Sequence, residues 1–85
     1  MKLCFVDESW EDYLYWQKTD KNMIARINKL IKDIVRSPYQ GIGKLEPLKH
    51  KYRSFWSRRI DSEHRIIYRV LENEIWIAKC RFHYD

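Results

Sequence analysis

The stretch FWSRRIDSEHRIIYRVLENEIWIAKCRFHY, residues 55–84, decides the fold. Three runs within it, 55–60, 64–71 and 75–84, are rich in β-branched and aromatic residues, which favour strands. The two polar triplets between these runs suit short hairpin loops of three residues. The stretch therefore predicts three consecutive antiparallel strands.

The alternation of side chains predicts what each face of this sheet does, because three-residue loops keep the parity of facing positions. The even positions are predicted to bury against helices, with Arg58 as their one charged member: Trp56, Ile60, Ile66, Tyr68, Val70, Trp76, Ala78, Cys80 and Phe82. The odd positions are Ser57, Arg59, Arg65, Ile67, Arg69, Lys79, Arg81 and His83. Arg59 would then oppose Arg65, and Arg65 would oppose Arg81. Opposed cations destabilise a sheet unless water screens them or an anion binds, and we favour the anion.

The residues before this stretch predict one strand and two helices. Residues 2–6 suit a strand, and Asp7 or Ser9 is expected to cap a first helix with an apolar stripe of Trp10, Tyr13 and Leu14. The second helix begins after Thr19 and Asp20, and its apolar residues recur at intervals of three and four: Met23, Ile24, Ile27, Leu30, Ile31, Ile34 and Val35. Pro38 ends it, and residues 37–44 form a loop.

These elements predict one α+β domain spanning residues 1–85. Two N-terminal helices pack on a twisted, mainly antiparallel sheet that the first strand joins. The loop is not a nucleotide-binding P-loop, because Pro38 stands where a glycine is required and Leu45 follows Lys44.

Composition excludes several classes of protein. At 85 residues and 10.6 kDa the chain is too short for a two-domain enzyme, and it has no apolar run long enough to span a membrane. The N-terminus does not resemble a signal peptide, so we expect the protein to act in the cytoplasm, with no membrane partner. Cys4 and Cys80 are read as reduced, buried small hydrophobes.

The net charge of +5 is concentrated in one region. Segment 44–69 carries eight basic residues against three acidic ones: Lys44, Lys49, Lys51, Arg53, Arg58, Arg59, Arg65 and Arg69 against Glu46, Asp61 and Glu63. Such a region favours a polyanionic partner, although a solvated basic surface is an equal alternative on charge alone. Aromatic residues at 15% of the chain suit base stacking, and they also build cores.

Glu46 and His83 are candidate catalytic groups. Glu46 is the only carboxylate between Asp33 and Asp61, and His83 ends the basic face. A carboxylate, a histidine and several cations are sufficient to cleave RNA without a metal, since one group takes the 2′-hydroxyl proton and another gives one to the leaving oxygen. The alternatives are a structural histidine and a surface ion pair of Glu46 with a neighbouring lysine.

The whole chain resembles the YoeB toxins of the RelE/ParE superfamily of toxin–antitoxin systems. Six segments carry the resemblance together: ESWEDYLYW at 8–16, INKLIKD at 27–33, GKLEPLK at 43–49, FWSRRI at 55–60, EHR at 63–65 and RFHY at 81–84. The resemblance implies a microbial-ribonuclease-like, RelE-type fold. It also implies an endonuclease that enters the ribosomal A site and cuts mRNA there with no metal or other cofactor.

The same resemblance implies roles for individual residues. Glu46 would be the general base, His83 the general acid, and Arg65 would stabilise the transition-state phosphate. Tyr84 would orient the substrate, and Lys49 and Arg59 would hold the backbone phosphates. The neighbouring basic residues Lys44 and Lys51 are additional candidates for RNA contacts.

The family also implies partners. These are ribosomal RNA, a second copy of the chain, a YefM-type antitoxin, and operator DNA only when toxin and antitoxin are bound together. Two other functions remain open at this point. The first is a ParE-like toxin of the same fold that inhibits gyrase, and the second is an RNA-binding module without catalysis.

Overall fold

A computed structural model describes residues 1–83 of the chain. The elements are β1 (Lys2–Phe5), α1 (Ser9–Thr19), α2 (Lys21–Arg36), β2 (Glu46–Pro47), a 3₁₀ helix (His50–Tyr52), β3 (Phe55–Arg59), β4 (Arg65–Val70) and β5 (Glu74–Lys79). The strands form one sheet in the order β1-β5-β4-β3-β2, with β1 parallel to β5 and the other pairs antiparallel. The predicted α+β class and the mainly antiparallel sheet are confirmed.

Local sequence signals explain the two helices. Asp20 caps α2 as predicted, since its carboxylate accepts hydrogen bonds from the amides of Asn22 and Met23 at 3.0 and 3.2 Å. The predicted cap of α1 is wrong: Glu8 occupies that position without a side-chain bond. The Ser9 hydroxyl instead donates to the Val6 carbonyl at 2.8 Å.

The sheet has a different core on each face. The inner face packs against both helices, and its core comprises Ile60, Ile66, Tyr68, Ile75, Ile77 and Cys80 with Trp16 from α1 and Met23, Ile27, Leu30 and Ile34 from α2. The outer face, turned away from the helices, has a smaller cluster of Leu48, Ile67 and Ala78. Cys80 is buried, whereas Cys4 is only half-buried.

The predicted register of β5 is wrong from Ile75 to Ala78. The β4–β5 turn has two residues, because the Leu71 amide donates to the Glu74 carbonyl at 2.8 Å. Trp76 therefore pairs with Arg69 on the outer face, while Ile75 and Ile77 enter the core. A bulge between Ile67 and Tyr68 leaves Ala78 as an extra residue in β5, and it joins the outer cluster.

Two strand boundaries also differ from the prediction. The last strand ends at Lys79 rather than at 84, because Phe82 has a φ of 66° and its amide bonds to a side chain instead of a neighbouring strand. The short strand β2 was not predicted, since two residues carry no recognisable periodicity. No helix in the described part of the chain is long and apolar enough to cross a membrane.

Candidate active site

The strand register lines up several predicted site residues on the outer face. Glu46 pairs with Ser57, Ser57 with Ile67, and Ile67 with Lys79, which we call the Glu46 row. Residues in register share a face, so these four side chains cross the sheet from β2 to β5 over roughly 14 Å. Glu46 is exposed at one end, and Lys79 stands at the other.

Two arginines form the adjacent row. Arg59 pairs with Arg65 as predicted, and both lie two residues along their strands from the Glu46 row. The Arg65 guanidinium donates from Nη1 to the carbonyls of Asp61 and His64 at 2.9 and 3.0 Å. These bonds aim the guanidinium along the β3–β4 turn, and because its other N–H donors form no hydrogen bond within residues 1–83, they can meet an anion.

The predicted opposition of Arg65 and Arg81 is wrong. The Arg65 amide donates to the Phe82 carbonyl at 3.0 Å, because the chain turns after Cys80. Arg81 instead places its guanidinium 3.5 Å from the centre of the Tyr15 ring on α1. The cation–π contact removes this charge from the outer face and ties the end of the chain to the first helix.

The three predicted lysines surround β2. Lys44 lies two residues before β2 and has a φ of 50°, and Lys49 directly precedes the 3₁₀ helix. Both are exposed, as is Lys51, whose ammonium lies 5.3 Å from the centre of the Tyr52 ring. Positive charge therefore flanks Glu46 along the chain on both sides.

A buried arginine fixes the loop that leads into Glu46. Arg58 is 0% exposed, and its guanidinium is bonded to the Asp33 carboxylate. It also donates to three loop carbonyls, those of Ser37 at 2.8 Å, Gln40 at 3.1 Å and Ile42 at 3.2 Å. The one charged residue predicted for the inner face thus anchors loop 37–44.

The loop depends on Asp33 and Gly41 as well. The backbone N–H of Ile42, followed by the Arg58 guanidinium, holds the pKa of the Asp33 carboxyl below its usual range. Gly41 has a φ of 134°, and a Cβ there would overlap the Asp33 carboxylate. Only glycine combines this backbone conformation with so close an approach. Downstream, the Arg59 amide donates to the Gly43 carbonyl at 2.6 Å and joins the loop to β3.

Neutral hydrogen-bonding groups and one carboxylate fix the segment that leads into His83. The Asp12 carboxylate accepts from the Cys80 amide at 3.0 Å, and the Trp16 indole donates to the Cys80 carbonyl at 2.8 Å. The Phe82 amide then donates to Nδ1 of the buried His64 at 2.7 Å. These bonds attach both sides of the turn, one to α1 and the other to the start of β4.

The backbone of His83 is linked to the β5 end of the Glu46 row through one side chain. The Lys79 ammonium donates to the His83 carbonyl at 3.3 Å. Lys79 is also a member of the row, so the row connects the strand of Glu46 with the segment of His83. Tyr84, the fourth predicted catalytic residue, lies outside the described residues.

Burial shifts the pKa of two groups in the segment that leads into His83 and in the helix that it contacts. Burial raises the pKa of the Asp12 carboxyl, although the hydrogen bond from the Cys80 amide opposes the shift. Burial, aided by the neighbouring Asp12 charge, raises the pKa of the Cys80 thiol to about 12. Cys80 is therefore a structural residue and not a nucleophile, because its thiolate is scarcely populated at neutral pH.

Sequence reasoning missed the supporting residues. Arg58 gave a signal, as a charged residue at an inward position requires a buried partner. Asp12, Trp16, Asp33 and His64 gave no comparable signal, because their partners are backbone groups or lie far away in the chain. Within residues 1–83, no group of three His, Cys, Asp or Glu side chains is arranged to hold a metal ion.

Comparison with known proteins places this arrangement among bacterial toxins. The model of the YoeB-like toxin family of bacterial type II toxin–antitoxin systems matches residues 5–84. Toxin YoeB of Escherichia coli (strain K12) is 57% identical over 84 residues, which cover 99% of this chain and 100% of that protein.

Solved structures give the same result. The YoeB/ParE toxin from Agrobacterium tumefaciens superposes with a TM-score of 0.95 at 48% identity, covering 99% of this chain and 100% of that one. YoeB of Staphylococcus aureus, solved both as a heterotetrameric YoeB–YefM complex and as a dimer, superposes with TM-scores of 0.90 and 0.91 at 45% identity, covering 99% of this chain and 98% of that one. The predicted RelE-type fold is confirmed by these superpositions.

Proposed function

The chain belongs to the YoeB-like toxin family of bacterial type II toxin–antitoxin systems, and we propose that it is a ribosome-dependent endoribonuclease that cuts mRNA in the A-site codon. The match to the family model and to Toxin YoeB confirms the resemblance that the sequence motifs indicated. The observation that carries the proposal is the Glu46 row beside Arg59 and Arg65, with the Lys79 ammonium at its far end bonded to the backbone carbonyl of His83.

The reaction begins with proton removal. Glu46, exposed at the β2 edge, accepts the proton of a ribose 2′-hydroxyl, and the oxygen attacks the adjacent phosphorus. An exposed carboxylate suits this task, because RNA can approach it from solvent. The new P–O bond produces a pentavalent phosphorane with additional negative charge.

Cations and an acid complete the reaction. The Arg65 guanidinium stabilises the charge of the phosphorane, with Arg59 beside it on the same face. His83 protonates the 5′-oxygen as the P–O5′ bond breaks, which leaves a 2′,3′-cyclic phosphate and a 5′-hydroxyl. No metal or cofactor takes part in this scheme, and Tyr84 would orient the substrate.

The remaining basic residues hold the RNA. Lys49 and Arg59 bind backbone phosphates next to the cleaved bond, while Lys44 and Lys51 extend the contact to neighbouring phosphates of mRNA or ribosomal RNA. All four are exposed and fixed near β2 or at the end of β3. Their contribution should fall as salt rises, since it depends on counterion release.

Partners follow from the relatives. We propose a homodimer, as for the Staphylococcus aureus relative, and neutralisation by a YefM-type antitoxin. The exposed aromatic surface of Trp10, stacked with Tyr13 at 5.7 Å between ring centres, is the candidate dimer contact. Operator DNA would bind only the toxin–antitoxin complex, and the site of action is the cytoplasm.

The test is to map mRNA ends on programmed ribosomes with the wild-type protein and with His83→Ala. We expect cuts within the A-site codon and a loss of roughly 10²- to 10⁴-fold in the variant, the usual contribution of a general acid. Wild-type cleavage by His83→Ala would refute the role of His83. Inhibition of purified gyrase without mRNA cleavage would instead assign the ParE-like function, and RNA binding without any cut would leave a non-catalytic module.

A further inference from the structure

A pocket of about 370 Å³ opens on the outer face beside the Glu46 row. Ile67 and Lys79 belong both to this row and to the pocket lining, so the pocket adjoins the candidate active site. Its volume lies within the usual range for small-molecule sites. The backbones of β2 and β4 are roughly 10 Å apart, a distance that an extended nucleotide can span.

The pocket interior suits a flat, apolar ring. Ile67 and Ala78, which are 1% and 8% exposed, form its floor, and Phe55 and Tyr52 stand at its side. The two aromatic rings meet edge to face, with centres 6.4 Å apart and planes at 89°. A nucleobase can therefore lie beside these rings over an apolar floor, in surroundings like those that hold unstacked bases in RNA-binding proteins.

The charges at the rim divide into two kinds. Lys51 and Lys79 are placed to meet phosphate groups, and the Lys79 ammonium also bonds the carbonyl of His83. Asp7 and Glu8 also line the pocket and bring two carboxyl groups to it. Carboxylates repel phosphates and only accept hydrogen bonds, so they suit a partner that presents N–H groups.

Hydrogen bonds on either side fix the backbone of the turn that carries these two residues. Asp7 has a φ of 54°, a conformation that aspartate tolerates better than most residues. On either side, the Val6 amide donates to Ile77 at 2.9 Å, and both the amide and hydroxyl of the buried Ser9 donate to Val6. Asp7 and Glu8 thus project from a turn that is bonded at both ends.

We propose that this pocket binds the base next to the cleaved phosphate and that Asp7 and Glu8 select guanine over uracil. The proposal rests on the proposed ribonuclease function. Guanine presents N1–H and an N2 amino group side by side, so one carboxylate can accept both. Uracil offers a single N–H between two carbonyl oxygens, which a carboxylate repels. Adenine and cytosine, with one amino group each on this edge, should bind with intermediate strength.

The test is to titrate the full-length protein with 5′-GMP and, separately, with 5′-UMP. Binding is measured from the NMR signals of the labelled methyl groups of Ile67 and Ala78. We expect GMP to bind about tenfold more tightly, the lower range for one bidentate pair on an open pocket. The double variant Asp7→Asn/Glu8→Gln should bring the ratio close to one. The matched control Glu11→Gln/Glu72→Gln removes the same charge from exposed positions outside the pocket lining and should keep the ratio.

The proposal is overturned if the wild-type protein binds both nucleotides equally, or if the preference persists in Asp7→Asn/Glu8→Gln. It is also overturned if a YefM-type antitoxin peptide shifts the two methyl signals while neither nucleotide does. Nucleotide binding is measured apart from cleavage, so the two proposals fail separately. A protein that prefers GMP but cuts no mRNA would lose its proposed function and keep this pocket.

Discussion

The segments that carry Glu46 and His83 are attached to the fold by different kinds of bond. Loop 37–44, before Glu46, is attached by the buried Arg58 guanidinium, which reaches Asp33 and three loop carbonyls. Attachment by a charged network is strong but conditional, because each buried charge is stable only while its partner is present.

The segment before His83 is attached without a buried ion pair. Cys80 and Phe82 use their backbone groups, and the partners are Asp12, the Trp16 indole and the His64 ring. Single neutral hydrogen bonds of this type contribute about 0.5–1.5 kcal/mol, and the bond to the Asp12 carboxylate contributes about 1.5–3 kcal/mol. The comparison therefore indicates that the loop of Glu46 depends on one buried charged group, whereas the segment of His83 has several attachments, each of which can be lost at a small cost in folding free energy.

The largest expected effect is on the loop. Arg58→Met leaves the Asp33 carboxylate, 8% exposed, without its buried partner, so the free energy of unfolding should fall by about 3–5 kcal/mol. Urea denaturation measures it. Arg36→Met is the matched control, because Arg36 is the other charged partner of Asp33 and its own side chain is 78% exposed. This variant should lower the free energy of unfolding by less than about 1 kcal/mol.

A double variant separates stability from activity at the same place. Asp33→Leu/Arg58→Met removes both buried charges, so its loss of stability should be smaller than the sum of the two single losses. RNA cleavage by the double variant should be lower than by the wild type, because the loop carbonyls of Ser37, Gln40 and Ile42 no longer have the Arg58 guanidinium as their donor. Recovery of full cleavage together with stability would show that the anchor does not position Glu46.

The second effect concerns the segment of His83. His64→Leu removes the acceptor of the Phe82 amide, which should cost about 1 kcal/mol of stability. Single-turnover cleavage should fall by roughly tenfold to a hundredfold, since a small displacement of a catalytic group is costly. His64→Asn keeps an acceptor near the position of Nδ1 and should retain most of the rate. Equal rates in the two variants would contradict a positioning role of His64.

The sequence predicts this fold well where its signals are local. The period of three and four residues in α2, the Asp20 cap and the opposition of Arg59 and Arg65 are all confirmed. The signals fail where one residue changes the register. The turn Glu72–Asn73 is one residue shorter than predicted and the bulge at Ala78 adds one back, so the predicted register is wrong from Ile75 to Ala78 and correct again at Lys79.

Prediction of the site has the same limit. The alternation of charge along β3 and β4 is enough to predict that Arg59 and Arg65 share one face, and the strand register confirms it. The attachments of the loop and of the last segment join residues far apart in sequence, such as Asp12 with Cys80 and Asp33 with Arg58. A spacing pattern cannot reveal such pairs. Only the fold brings them together.

The smallest expected effect is a rise in the free energy of unfolding on substitution of Asp12, whereas Arg58→Met lowers it. Burial raises the pKa of Asp12 in the folded state, so the folded protein holds this proton more tightly than the unfolded chain. The ionised carboxylate therefore lowers stability at pH 7, and the penalty disappears as pH falls through the folded and then the unfolded pKa. Asp33 has a lowered pKa, so its contribution is present above its unfolded pKa, near pH 4, and is lost below it.

Asp12→Asn tests this difference, because its amide oxygen can still accept from the Cys80 amide at the same position. We expect a variant as stable as the wild type at pH 7 or more stable, by less than about 1 kcal/mol. The gain should vanish below about pH 4, where Asp12 is protonated. Urea denaturation from pH 7 to pH 3 measures both. A loss of several kcal/mol at pH 7 would mean that the carboxylate charge itself holds Cys80. The two segments would then both depend on a buried charge, and the contrast between them would not hold.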